Sequence, residues 1–114
     1  MSRAAGIAAS GVQAASVALA VSADNVANAL TDGFRPAAAA PVELPGGGAA
    51  ASVVKEADPL AEVRADRALL APSRTDLVQE LVNQGRAAAV YRANLKVLET
   101  AQAMESEVVD AVER

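Results

Sequence analysis

At 114 residues, with a formal charge of −4 and neither cysteine nor histidine, the chain has room for one small domain and lacks the usual zinc ligands and the commonest general base. Its acidity, without any Lys/Arg cluster, disfavours nucleic acid as a partner, because neutralising phosphates needs a concentrated basic face. Apolar types make up 53% of the sequence but aromatics only 2%. Core side chains are therefore scarce, no cofactor is expected, and alanine-rich faces become useful mainly when another chain covers them.

Residues 4–30 contain no proline and repeat apolar groups at helical spacing, with Ala5, Val12, Leu19 and Val26 seven apart and Ala8, Ala15 and Ala29 or Leu30 between them. Beside this seam runs a second stripe of small or weakly polar residues, Ile7, Gly11, Ala14, Ala18, Val21, Asn25 and Asn28. The helix thus has two faces to bury, and should stop near Thr31-Asp32-Gly33, where glycine tolerates a left-handed C-cap and Pro36 opposes continuation. Twenty uncharged residues lie between Arg3 and Asp24, long enough to span a bilayer. Gly6, Ser10, Gly11, Gln13, Ser16 and Ser22 interrupt them, and no membrane insertion is expected. A secretory signal is the stronger rival, with Met1-Ser2-Arg3 as its basic start and Val21-Ser22-Ala23 as a small-residue cleavage site.

From Pro36 to Pro72 the periodicity dissolves into Ala-Pro and Gly stretches, which predict a linker. Within it, residues 52–56 suit a short strand or one arm of a small hairpin, and 60–70 fit strand or helix. Gly46-Gly47-Gly48 lacks the Lys-Ser/Thr and the strand-to-helix setting of a phosphate loop. A second helix is expected to begin between Ser73 and Asp76, with Ser73 or Thr75 as cap and Asp76 and Glu80 placing negative charge at the positive end of the dipole. It runs to about Val112, again with two stripes. One carries Leu77, Leu81, Ala88, Tyr91, Leu95, Leu98, Val109 and Val112; the other carries Asn83, Ala87, Val90, Asn94, Val97, Ala101, Met104 and Val108. The two helices should measure roughly 40 and 58 Å, so the second overhangs the first.

Asp76 and Glu80 have no His, Cys or third acid to complete a catalytic or metal site, and read as a charged first turn. Arg92 and Lys96 read as a solvated edge, and Tyr91 as core with its hydroxyl reaching the rim. Asn25, Asn28 and Asn94 sit on small or apolar stripes, where an amide either pairs across a helix interface and fixes register or lies at a solvated edge. Gly33-Phe34 reads as a helix stop with a hydrophobic cap contact, or as a contact with a second subunit.

The thirteen residues Ala23-Asp24-Asn25-Val26-Ala27-Asn28-Ala29-Leu30-Thr31-Asp32-Gly33-Phe34-Arg35 resemble the Ala-Asn-Asn-Ile/Val-Ala-Asn-x-x-Thr-x-Gly-Phe/Tyr-Lys/Arg segment of the bacterial flagellar axial proteins, the rod, hook and hook-associated subunits. The stretches Asp76-Leu77-Val78-Gln79-Glu80-Leu81-Val82-Asn83 and Tyr91-Arg92-Ala93-Asn94-Leu95-Lys96-Val97-Leu98-Glu99-Thr100 are similar to that family's C-terminal helix. The short middle, with residues 54–59 before the second helix, is most similar to a proximal rod subunit. Asp24, Leu30 and Asp32 depart from the commoner Asn, Asn and Pro, and Ala88 and Ala89 stand where Gln and Arg are usual.

The resemblance implies an all-α fold of two long terminal helices paired as a coiled coil, with 1–35 and 73–114 as axial elements and 36–72 as linker or minimal centre with a possible short β segment. It implies a structural, non-enzymatic subunit of the basal-body rod that assembles with itself and homologous rod subunits. Export by the flagellar type III apparatus without signal cleavage is also implied, with no small-molecule substrate. Subunit contacts are expected from Val12, Leu19, Asn25, Val26, Asn28, Gly33, Phe34, Asp76, Glu80, Asn83, Tyr91, Asn94, Lys96 and Val97. The alternative is a small secreted helical binding module with a cleaved signal peptide.

Overall fold

The computed structural model describes residues 2–57 and 72–114. The elements are helix α1 (Arg3–Ala27), strands β1 (Ala37–Glu43) and β2 (Ala49–Lys55), and helix α2 (Leu77–Glu113). Mostly helical, the chain is elongated, 73 × 26 × 15 Å. The expected strand or helix at 60–70 lies outside the described residues.

Ser2 caps α1, its hydroxyl accepting from Ala5 N–H at 3.2 Å. The helix ends earlier than its apolar pattern suggests, at Ala27, with Asn28 as C-cap. Residues 28–34 continue as hydrogen-bonded turns, Thr31 N–H to Asn28 O and Phe34 N–H to Thr31 O, and Gly33 takes the left-handed φ of 75° expected of it. At the start of α2 the cap is Asp76, whose carboxylate accepts from Val78 and Gln79 N–H at 3.0 and 3.2 Å. Ser73 and Thr75, expected as caps, instead bond to each other and to α1.

The two helices run antiparallel: Ser2 N–H donates to the Glu105 carboxylate at one end, Gly11 meets Asn94 midway, and Ser22 reaches Glu80 at the other. Between them β1 and β2 form an antiparallel hairpin pairing Ala37 with Lys55 through Glu43 with Ala49. The strand expected at 52–56 is thus the end of a longer β2. The hairpin turn uses Gly46, Gly47 and Gly48, all at positive φ, and lies on the first turns of α1. There the Arg3 guanidinium donates to Gly46 O and the Ser10 hydroxyl accepts from Ala49 N–H. A Cβ on Gly48 would lie 2.7 Å from Ser10 Oγ, so both the turn conformation and the approach to α1 select glycine.

Among the described residues the buried apolar ones are Ala5, Ala8, Ala15, Ala87 and Ala101. Each alanine methyl contributes only about 0.8 kcal/mol on burial, so the core is a narrow line. On α1 that line draws from both sequence stripes, taking in Gly11, Ser22 and Asn25 while Val12 and Leu19 stay half-buried and Val26 lies at the exposed edge. On α2 its centre is Glu80, Ala87, Asn94 and Ala101, seven apart, flanked by half-buried Tyr91 and Leu98. Of the two stripes expected on α2, the one carrying the leucines leaves Leu77, Leu81 and Leu95 exposed. Small residues on facing helices let the backbones approach closely, which leaves bulkier neighbours on the flanks.

Candidate functional site

Where α1, α2 and the hairpin meet, Asn25 is 1% exposed and spends its whole amide on the chain itself. Nδ2 donates to Ala37 O at 2.7 Å and to Glu80 Oε1 at 3.0 Å, and Oδ1 accepts from Ala37 N–H at 3.0 Å. Glu80 is 6% exposed, with Oε2 unpartnered among the described residues. The Ser22 hydroxyl donates to Glu80 O at 3.1 Å, and the Thr75 hydroxyl donates to Asn25 O at 3.1 Å. One side chain therefore joins the end of α1, the base of the hairpin and the first turn of α2. Of the two readings of Asn25, the solvated edge is excluded, and the interface it pairs across lies between the chain's own helices.

Glu80 stands in the first turn of α2, as expected, and its carboxylate faces inward as an acceptor for Asn25. Ser22, counted in the sequence only as an interruption of an apolar run, is the missed member of this cluster. Its position seven residues after Ala15 and three before Asn25 is the signal that places it on the buried line.

At the nearby end of α1, Asn28 is half-buried; its Nδ2 donates to Asp24 O at 2.9 Å, and its Oδ1 accepts from the Thr31 hydroxyl. Phe34 is half-buried and its carbonyl accepts from Arg74 N–H, tying the turn to the approach to α2. Asn83 and Asn94 are half-buried on α2, Nδ2 of Asn94 donating to Val90 O. Lys96 and Val97 are exposed, with Lys96 paired to Glu99 at 3.1 Å, an exposed pair that contributes little.

Much apolar surface stays uncovered. Leu81 is 67% exposed and Val97 49%, while Leu30, just beyond α1, is 96% exposed. Past the Ser2 to Glu105 contact, α2 carries Val108, Val109 and Val112 onward with no facing helix among the described residues. Patches of this kind mark surfaces that meet other molecules. Helix α1 is also long and apolar enough to cross a membrane by length and composition. No group of three His, Cys, Asp or Glu able to hold a metal occurs among the described residues.

A trough of about 750 Å³ opens between α1, the hairpin and α2, walled by alanines of all three and by Val21 and Val90, with Arg86 and Asn83 among its polar lining. It exists because Ala37–Ala39 and Ala49–Ala51 are too short to fill the space between the hairpin and the helices.

No curated protein matches the chain. Residues 7–35, which comprise most of α1 and the turn through Gly33-Phe34, match the family described as flagella basal body rod protein. That family is a structural component of the flagellum and not an enzyme family. The same residues supply Asn25 to the buried cluster, so the matched segment, about a quarter of the chain, supports kinship with the flagellar basal body rod proteins.

Proposed function

We propose that the chain is a self-assembling rod subunit, of the proximal kind, whose terminal helices build the drive shaft that carries torque from the membrane motor to the hook. The observation that carries the reading is the mismatch between the narrow alanine line joining α1 to α2 and the broad apolar flanks outside it. A heterologous contact repeated between such flanks gives an open helical tube.

In this reading, residues 1–35 and 73–114 are the axial elements, paired as a coiled coil, and 36–72 is a minimal centre. Val12, Leu19, Val26, Asn28, Gly33, Phe34, Asp76, Asn83, Tyr91, Asn94, Lys96 and Val97 border the subunit contacts. Asn25 and Glu80 act from inside, fixing the register on which those contacts depend. A chain with so small a core suits passage through the type III export apparatus unfolded, its helices consolidating on docking.

The test replaces Leu81 and Val97 together by Lys, in cells that swim by means of this protein. Expected are normal export, missing rods in isolated basal bodies and loss of swimming. Full-length rods carrying both lysines would overturn the proposal. The apolar run of α1 also favours a second reading, a cleaved signal on a secreted helical module. Intact-mass measurement separates the two: a mature chain starting near residue 24 would lack most of the helix that seats the hairpin, and would refute the rod reading.

A further inference from the structure

The trough is open, apolar and of the size that holds a few bulky side chains, within the ~300–1,000 Å³ typical of binding clefts. Its walls are alanine methyls, Val21, Val90 and Pro41, and Arg86 is exposed among its lining, without an ion pair among the described residues. The last two turns of α2 have the opposite character. Val108, Val109 and Val112 are 54–80% exposed, and the acids Glu107, Asp110 and Glu113 surround them, with Arg114 following as the C-cap.

We infer that these C-terminal turns, residues 108–113, seat in the trough of a second copy of the chain, valines against its alanine walls and Asp110 or Glu113 against Arg86. The argument is complementarity of two unpartnered surfaces in size, polarity and charge. Glu80 also lines the trough, but it is buried with Oε1 accepting from Asn25, so Arg86 is the exposed charge of that lining. The contact is heterologous, trough to tip, so a dimer keeps one free trough and one free tip from which it can grow. It rests on the polymerising reading above and deepens it by assigning which surfaces meet.

The absence of cysteine makes the test clean. Two full-length chains of different tag length are mixed, one carrying Val90→Cys in the trough and the other Val109→Cys on the tip, and oxidised. Within one chain these positions lie roughly 28 Å apart along α2, far beyond the ~7 Å that a disulfide allows. A mixed covalent dimer is expected, together with its absence when Val54→Cys, exposed and outside the trough's lining, replaces Val90→Cys. Arg86→Glu should lower the yield about tenfold, and adding Asp110→Arg and Glu113→Arg to the tip chain should restore it. Circular dichroism shows whether each variant keeps its helices, and the restored pair keeps the inference falsifiable if Arg86→Glu alone misfolds.

Chains that associate but cross-link only through the other flank, by Leu81→Cys, would overturn this inference and leave polymerisation standing. Chains that stay monomeric and unlinked up to roughly 1 mM, where a contact of about 4 kcal/mol would register, would overturn both. Cross-linking of Val90→Cys to a cysteine placed within 58–71 of the same chain would assign the trough to the chain itself and overturn the inference alone.

Discussion

Replacing Asn25 by Ala removes the donor to the Glu80 carboxylate and both bonds to Ala37. A hydrogen bond to a charged group contributes about 1.5–3 kcal/mol and an ordinary one about 1 kcal/mol, so the substitution should cost roughly 3–5 kcal/mol. Part of that arises because Glu80, whose Oε2 already has no partner among the described residues, would be left buried with neither oxygen paired. Domains of this size hold roughly 5–15 kcal/mol in total, and a core whose buried apolar members among the described residues are all alanine belongs at the low end. The measurement is urea unfolding followed by far-ultraviolet circular dichroism, in an osmolyte such as TMAO that raises the starting stability. Glu80→Gln keeps an acceptor for Asn25 and should cost less than about 1 kcal/mol. In the double-mutant cycle of Asn25→Ala with Glu80→Ala the two costs should fall short of additive by about 1.5–3 kcal/mol. An Asn25→Ala chain that loses less than about 1 kcal/mol, or a cycle that is additive, would refute the assignment of this amide as the joint between α1, the hairpin and α2.

Gly11→Val should separate α1 from α2 at a cost of about 1–3 kcal/mol, because any Cβ there would lie 2.6 Å from the Asn94 amide; Asn94→Ala in the same chain should recover most of it, read by the same unfolding curves. The Glu105 carboxyl is held below the usual carboxylate range by the hydrogen bond from Ser2 N–H. Its contribution is therefore full above the ordinary carboxylate pKa and is lost as pH falls through the lowered value, so amide exchange at the start of α1 should accelerate on acidification and become insensitive to that step in Glu105→Gln. In dilute solution without the osmolyte the isolated chain should be weakly helical and melt without cooperativity, so the unfolding curves above take the TMAO-stabilised chain as their folded baseline, and a highly helical, sharply melting monomer in plain buffer would count against assembly as the step that completes the fold.

Two long helices, their order and the glycine that ends the turn at Gly33 were legible in the residues alone, because helical periodicity and turn chemistry are local properties. So was the surplus of apolar surface, which follows from a sequence rich in alanine and poor in aromatics. Which of two parallel stripes turns inward was not legible, since Ala5 and Val12 on one and Gly11 and Asn25 on the other are equally spaced. The tertiary structure decided it through close approach: Gly11, Ala87 and their small neighbours admit the facing backbone, which pulls Ser22, Asn25 and Glu80 into the contact and pushes Leu81 and Val97 out. The hairpin was half visible, in the valines of β2 but not in the alanine run of β1. A run of alanines carries no strand signal of its own, and it becomes a strand because β2 pairs with it and Asn25 takes up both polar groups of Ala37. Local pattern thus determined the elements of this protein, and long-range hydrogen bonding and the closeness of its helices determined which of their faces remain for others.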